Sequence, residues 1–460
     1  MASTAVPDAT ETPVDPRTAA LAAHVAGARE RGLPPEVAAK TRLHVLDTLA
    51  ATLSGSRLEP GIRGAAYART QGGSGATVLG TDLTASPATA ALANGMSAHA
   101  DETDDSHAAS LSHPGCGVVP AALAVAEDLG SSGRDLLTAV AVGYDVGTRV
   151  VMALGRPPVL AEGSSYSTHA LAGQFGAAAA AAVLHGMDAE RVRWTLSYAA
   201  QSAGGVTSWL RDPHHVEKAF VFGGMPAANG VRAAELVASG CDGVADVFSG
   251  QPNYLDALST RVDRDRLAAG LGERYEIIHT NIKKFAVGSP AQAAVQAVLD
   301  LVDEHGLTAE TTASLEITLP YDLCRVVDDR DMPDINVQYL VAGTLIDGAF
   351  TFAMAHDDAR MSDPLVRSLR ERTTLTEDPE VSGVRCATLV ATTTDGRRLR
   401  RHVPAVRGSV DDPMSVAEVE AKAVDLLEPV LGAQRTAALV GLVSSMDEVS
   451  DVRETGPLLR

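Results

Sequence analysis

The sequence predicts a mainly α protein: a large all-helical domain with a smaller α+β unit set into it. Three observations carry this. From about Arg17 to Gly250 the apolar residues recur at helical spacing. Near residue 270 the pattern changes, and "SLEITLP" alternates like a strand. After "DDPMS" the helical pattern returns to the end of the chain. The expected division is a disordered leader at 1–16, a helical domain at 17–270 and 412–460, and an α+β unit at 271–411.

In chain order, the leader "MASTAVPDATETPVDP" has no basic or apolar region of the signal-peptide type. "TAALAAHVAGARERG" and "EVAAKTRLHVLDTLAATLSG" read as helices ending at Gly. "ATAALANGMSAHA" is a third, delivering His99 near its C-terminus. "VVPAALAVAEDLG" follows with Pro120 near its start, then "SSGRDLLTAVAVGYDVGTRVVMALG". "HALAGQFGAAAAAAVLHG" and "DAERVRWTLSYAAQSAGG" form an antiparallel pair, and the six alanines Ala177–Ala182 predict close helix packing. A helix starts near Pro226. In the smaller unit "PAQAAVQAVLDLVDEHG" is a helix, and "VRCATLVATTTDGRRLRRHVPAV" is a β-hairpin turning at Asp395-Gly396. Ser415 and Glu418 make a capping box, and "TAALVGLVSSM" is helical.

Composition excludes several function classes. The net charge of −20 argues against nucleic-acid binding, and an anionic substrate would need a local basic cluster to overcome that field. The four cysteines Cys116, Cys241, Cys324 and Cys386 are scattered without metal-cluster spacing, which predicts a reduced, cytoplasmic protein. The Ala-rich runs are broken by Gly, His and polar residues, so no membrane span is expected.

Candidate chemistry concentrates in "HADETDDSHAASLSHPG", His99–Gly115. Asp101, Glu102, Asp104 and Asp105, crowded in a cleft, would raise one another's pKa values, and a raised carboxyl or a histidine suits proton transfer near neutral pH. Three readings stand on residue types alone: a solvated loop, an acid–base site and a divalent-metal site, the last without an HExxH pattern. Lys218 precedes the Gly223-Gly224 pair, either as a surface lysine or as a cation beside a helix N-terminus; no GK[ST] follows, so this is not a P-loop. Lys283 and Lys284 precede the helix near Ser289-Pro290, either solvated or clamping a ligand between domains. His169 opens the Ala-rich helix, whose dipole favours neutral imidazole. His214-His215 reads as exposed loop.

The His99–Glu127 segment, with "HALAGQFGAAAAA", "EKAFVFGGMPAANGVRAA", "IKKFAVGSPAQAAV" and "NVQYLVAGTLIDGAFT" following in order, resembles the MmgE/PrpD family over about residues 20–450. The family includes 2-methylcitrate dehydratase, cis-aconitate decarboxylase and an iminodisuccinate epimerase. The resemblance implies a helical domain with an α+β lid, a homodimer, a small carboxylate substrate, and no metal or organic cofactor. It places His113 on the catalytic histidine, Lys218 and Lys283 (or Lys284 in a shifted register) on the lysines, Ser106 on a threonine and Glu102 on an aspartate. Ser167 falls on a family histidine, with His169 two residues on. Val221 replaces another histidine, Thr103 an aromatic and Cys324 the lid tyrosine, and one extra residue follows Gly223.

The implied chemistry is a lyase reaction at the carbon beside a carboxylate. Lys218 and Lys283 would hold carboxylates, and His113 would transfer the proton. Glu102 or Asp104, kept protonated by crowding, would protonate a leaving hydroxyl or orient His113. Loss of water, as in a 2-methylcitrate-dehydratase-like hydro-lyase, comes first; decarboxylation or epimerisation is the alternative. A carboxylate-binding homologue without turnover is the reading from another class.

Overall fold

The computed structural model describes residues 13–155, 165–381 and 385–460. Four helices of the first core begin at a proline: Pro16–Ala26, Pro35–Gly55, Pro87–Ala98 and Pro114–Leu129. Proline lacks only an N–H that a helix start leaves unpaired anyway. Residues 1–12 of the expected leader lie outside the described residues, but Asp15 and Pro16 belong to the first helix. Asp15 caps it, accepting from the Arg17 N–H at 2.8 Å.

Pro114–Leu129 begins four residues earlier than the apolar run suggests. Pro120 therefore lies inside the helix, not near its start. The earlier start is fixed from outside: Asp105 accepts the Gly115 N–H at 3.0 Å, an acidic cap on exposed helix donors.

The central helices Gly133–Met152 and Thr168–Leu184 pack backbone to backbone. A Cβ on Gly147 would lie 2.1 Å from the Ala172 carbonyl. Ala177–Ala182 are all buried in this layer. Small residues replace rings as the packing material, which accounts for an aromatic content of only 4%.

The first core includes Tyr275 and Ile277, and the second begins at Phe285. The second core lies between helices and a four-stranded sheet of β3 (Thr312–Pro320), β4 (Thr373–Asp378), β5 (Ala387–Thr393) and β6 (Arg398–Val403), after the short pair β1 (Ala76–Thr77) and β2 (Thr84–Ala85). The order is β4-β3-β5-β6, with β3 parallel to β4 and the other pairs antiparallel. Leu315, Ile317, Leu389 and Ala391 face the helix Gln292–His305 and the helix Val337–Asp347. The β5–β6 hairpin turns at Asp395-Gly396, where Gly396 adopts φ 87°.

Beyond the sheet, Val416–Leu431 starts at the Ser415–Glu418 capping box. Its Ala423, Leu426 and Leu427 join the first core, as do Leu439 and Val443 of Ala433–Ser444. Among the described residues no helix is long and apolar enough to cross a membrane.

Candidate active site

The segment His99–Ser112 leaves the Pro87–Ala98 helix and ends at His113, which occupies the cap position of the next helix. The solvated-loop reading is overturned. Asp101, Asp104, Asp105 and His107 are all at most 1% exposed. A buried carboxylate needs partners, and each acid has its own. The Asp101 carboxylate accepts from the Ser54 hydroxyl and from the Thr103 N–H at 3.0 Å. Asp105 accepts from the Tyr144 hydroxyl at 2.6 Å and lies 3.0 Å from His44 Nδ1. His107 Nε2 lies 3.3 Å from Glu276. Asp104 lies 2.9 Å from His99 Nδ1, 3.5 Å from His113 Nδ1 and 3.6 Å from Lys283 Nζ. Glu102, on a left-handed backbone at φ 56°, is ion-paired with Lys218. Its second oxygen is 3.4 Å from Lys283 Nζ, which also donates to the Glu102 carbonyl at 2.7 Å.

The partners overturn a second expectation. Burial alone would raise the Glu102 carboxyl, but Lys218, Lys283, His99 and His215 outweigh it and hold the group well below its ordinary range. Asp104 is held down in the same way by His99, His113 and Lys283. Neither stays protonated by crowding. The raised acid of the loop is Asp101, pushed up to about 7 by burial; its carboxylate is hydrogen-bonded to Ser54 and Thr103, and its carbonyl lies 2.9 Å from His356 Nε2.

Lys218 does not precede a loop. The chain is helical from Val216, makes a π turn over Phe220–Gly224 and continues as Met225–Ala238. Gly223 lies inside because it crosses Gly95 of the Pro87–Ala98 helix; a Cβ there would be 2.0 Å from the Gly95 carbonyl. Lys218 is 8% exposed, with its ammonium 5.3 Å from the Phe222 ring and 5.4 Å from the Trp209 ring. Lys283 and Lys284 diverge. Lys284 donates to Gln296 at 2.9 Å and, among the described residues, makes no hydrogen bond or ion pair with the cluster, so the unshifted register brings in Lys283. Burial opposes the Lys283 charge, but Glu102 and Asp104 raise its pKa, so it is an ammonium.

His169 stacks on Phe222 at 3.9 Å between centroids, and its ring is 5.0 Å from that of His113. Burial first, then His113, His99 and Lys218, hold it well below the usual histidine range. It is neutral for that reason, and the helix dipole is not needed. Ser167 is buried at the cap of the same helix, with no hydrogen-bond partner for its hydroxyl among the described residues. Ser106 pairs through its backbone with Asn281 and accepts from the Asn281 amide at 3.3 Å, tying the loop to the segment that carries Lys283. Val221 packs with Ala98, Cys116 and Ala170. Cys324 lies in the second core, outside the cluster.

Sequence reasoning left out His99, Phe222 and Trp209, and placed His215 in an exposed loop. His214 is exposed, but His215 is 5% exposed and lies 3.5 Å from Glu102 and 3.7 Å from Asp334. A left-handed backbone at φ 60° turns it inward. No sequence signal separates it from its neighbour. His99 was visible in the opening stretch, five residues before Asp104.

Asp104 accepts from imidazole, so His99 and His113 would both present Nδ1–H to it, leaving Nε2 of His113 free for a proton. The donor atoms of His99, Asp104 and His113, and those of His99, Glu102 and His215, lie within 4.8 Å of one another, close enough to suit a cation. The ammonium groups of Lys218 and Lys283 already neutralise these carboxylates. The arrangement offers two fixed cations converging on one carboxylate, next to a histidine–aspartate pair.

Two family profiles match the chain: the MmgE/PrpD N-terminal domain at residues 19–266 and the MmgE/PrpD C-terminal domain at residues 285–447. A cis-aconitate decarboxylase-like protein of Aspergillus oryzae, oryM, is 25% identical over 477 residues, covering 96% of this chain and 97% of that protein. With both domains matched in order around this cluster, the chain belongs to the MmgE/PrpD family.

Proposed function

We propose that the protein is a cofactor-free lyase acting at the carbon beside a carboxylate of a di- or tricarboxylate or related hydroxy acid. The observation that carries this is the convergence of two buried ammonium groups, Lys218 and Lys283, on the Glu102 carboxylate beside His113 and Asp104. Removing a proton next to a carboxylate builds a dianionic enediolate. Fixed cations in a dry site stabilise that charge without reorganising. A substrate carboxylate would share the two lysines with Glu102, and His113, steadied by Asp104, would carry the proton. We further propose that it works as a cytoplasmic homodimer.

Between the lyase types, the ionised state of Glu102 and Asp104 supports a second reading. Expulsion of hydroxide needs an acid beside the leaving group, and these two carboxylates are not protonated. Decarboxylation needs no such acid. The C–C bond breaks, CO₂ leaves, and the electron pair spreads onto the carboxylate held by the lysines. His113, as imidazolium, then protonates the carbon. The cis-aconitate decarboxylase-like relative points the same way.

NMR in D₂O with citrate, 2-methylcitrate, cis-aconitate and iminodisuccinate distinguishes water loss, CO₂ loss and α-proton exchange. His113→Ala is expected to lower turnover at least ~10²-fold. Turnover that survives the change overturns the assignment. If no compound reacts with the wild-type protein but one raises its Tm, the binding-protein reading replaces the enzyme reading. Activity lost on chelation and restored by a divalent cation would favour the metal reading of the histidine–carboxylate set.

A further inference from the structure

Three successive carbonyls of the acidic loop each meet a side-chain nitrogen brought from elsewhere in the chain. The Glu102 carbonyl accepts from Lys283 Nζ at 2.7 Å, and the Thr103 carbonyl from Lys422 Nζ at 2.9 Å. The Asp101 carbonyl lies 2.9 Å from Nε2 of His356, which follows Met354 and Ala355 of the second core. Buried carbonyls need such partners, and here three separate segments supply them. The carbonyl that His356 meets belongs to the peptide joining Asp101 to Glu102, whose backbone is left-handed at φ 56°. A residue other than glycine holds that conformation only where its surroundings fix it.

His356 meets a second carbonyl. Its Nδ1 lies 2.9 Å from the Phe352 carbonyl, and the Phe352 ring stacks on the imidazole at 4.1 Å between centroids. The stack fixes the plane of the imidazole between the two oxygens. A carbonyl oxygen only accepts, and a neutral imidazole carries one N–H. In either neutral tautomer one nitrogen lone pair would face an oxygen lone pair. Only the imidazolium donates to both carbonyls at once. Histidine is also the one side-chain type of the three whose ordinary charge change falls between about pH 5 and 8. Other titratable groups surround it. Asp101 faces it from the loop, Asp334 from the turn Pro333–Ile335, and His215 from the cap of the Lys218 helix. Glu59, His214 and Asp358 line the same cleft, and Asp357, next in the chain, accepts the Arg360 N–H at 3.0 Å. Burial keeps His215 neutral, so it does not repel an imidazolium. Burial raises both Asp334 and Asp101, so their attraction fades as pH falls, whereas the two carbonyls do not titrate.

We propose that His356 is a positioning residue: as the imidazolium it bridges the Phe352 and Asp101 carbonyls and ties the second core to the peptide that presents Glu102. The loop is then held at three consecutive carbonyls, and one of the three holds depends on a proton. A contact that needs the proton is complete at low pH and is lost as pH rises and the proton leaves. One carbonyl then faces a lone pair, and the loop loosens at Glu102 while Lys283 and Lys422 still hold the two carbonyls that follow. The tether goes beyond the lyase reading and holds whatever reaction the site performs.

The test is hydrogen–deuterium exchange of the full chain, read by mass spectrometry. Wild type is compared with His356→Phe, which keeps a ring on the Phe352 stack and removes both donors. The reporters are the loop N–H groups of Ala100, Thr103 and Ser106, bonded to Ser97, Asp101 and Asn281. Each ratio of rates is taken at one pH, so the intrinsic pH dependence of exchange cancels. At about pH 6 the loop of the variant should exchange at least ~10-fold faster, as expected for a lost hydrogen bond from a charged group. By about pH 9 the ratio should fall below ~2. The same trend should persist in an Asp101→Asn background, which removes the titration of that carboxyl. His356→Gln, which can donate to the Asp101 carbonyl without titrating, should recover part of the protection at both pH values. Equal loop exchange at the lower pH overturns the proposal. So does a ratio that is the same at both pH values, which packing alone would give, or faster exchange confined to residues 352–358. If His356→Phe fails to fold, His356→Gln decides: its ratio to wild type should fall as pH rises, and a constant ratio overturns the tether. Loop exchange is read without turnover, so a failure of the lyase reading leaves this result standing.

Discussion

Glu102 sits where two lysines, two histidines and a left-handed backbone meet. Its removal would leave two buried ammonium groups facing each other. Glu102→Gln is therefore expected to lose about 3–5 kcal/mol of stability, read by urea denaturation at pH 7. A loss below ~1 kcal/mol would mean that the lysines find other partners. Glu102 and Asp104 are lowered in the folded state. Their contribution is present above the unfolded carboxylate range and is lost as pH falls toward their folded values. Asp101 has the opposite sign. Its pKa rises from 3.8 to about 7, so its contribution is full below the unfolded value and is lost as pH rises through about 7. Asp101→Asn removes that titration. The variant should gain on wild type, by up to a few kcal/mol, as pH rises from about 5 to about 8. A constant gap in denaturation midpoint across that range would contradict the assignment. The identity of these residues was legible in the sequence; their protonation was not, because crowding along the chain says nothing of which cation each acid meets in space.

Elements fix where those side chains arrive. A helix that absorbs one additional residue must carry a wider turn, and the π turn at Phe220–Gly224 is such a place, commonly found near functional sites. It keeps Lys218 and Phe222 beside His99 while Met225–Ala238 packs on. Phe222 stacks on His99 at 4.2 Å and on His169 at 3.9 Å, so one ring spaces two histidines. The glycine contact beneath it sets the approach. Gly223→Ala would press a Cβ onto the Gly95 carbonyl, and about 3 kcal/mol of stability should be lost, with a larger fractional loss of turnover. Gly441→Ala is the control. Nothing lies within 4 Å of a Cβ there, inside the helix Ala433–Ser444, so stability should rise by about 0.5–1 kcal/mol. Equal effects of the two changes would sink the packing argument. The start of Val416–Leu431 was legible from the Ser415 cap, which acts within one turn, whereas Pro120 misled because Pro114 opens that helix. β4 was not legible, because "TTLTED" has no alternating apolar pattern; it is held by its parallel register with β3.

At the scale of the molecule, the chain's last segment holds the acidic loop of the candidate site in place. Lys422, on Val416–Leu431, donates to Asp47 at 2.6 Å and to the Thr103 carbonyl at 2.9 Å, across 375 and 319 positions of sequence. Nothing local marks residue 422 as part of this arrangement, which is why the return of the C-terminal helices was foreseeable from their pattern and this tether was not. Asp47 is raised to about 6 by burial, with Lys422 pulling it back down. Removing 412–460 would take Leu426, Leu427, Leu439 and Val443 out of the first core together. At about 1.5–3 kcal/mol each, that rivals the ~5–15 kcal/mol net stability of a domain, so the truncated chain should not fold. The informative change is smaller. Lys422→Met keeps the apolar stem and removes the ammonium, freeing the Thr103 carbonyl beside Glu102 and Asp104. The protein should keep its far-UV CD, while kcat falls ~10-fold and KM changes less. Without its cation Asp47 should stay protonated to higher pH, so the loss should deepen above pH 7, where ionisation leaves a buried carboxylate unpaired. Lys422→Arg should recover part of it. A pH-independent loss, or an equal loss in both variants, would show that Lys422 acts through packing alone.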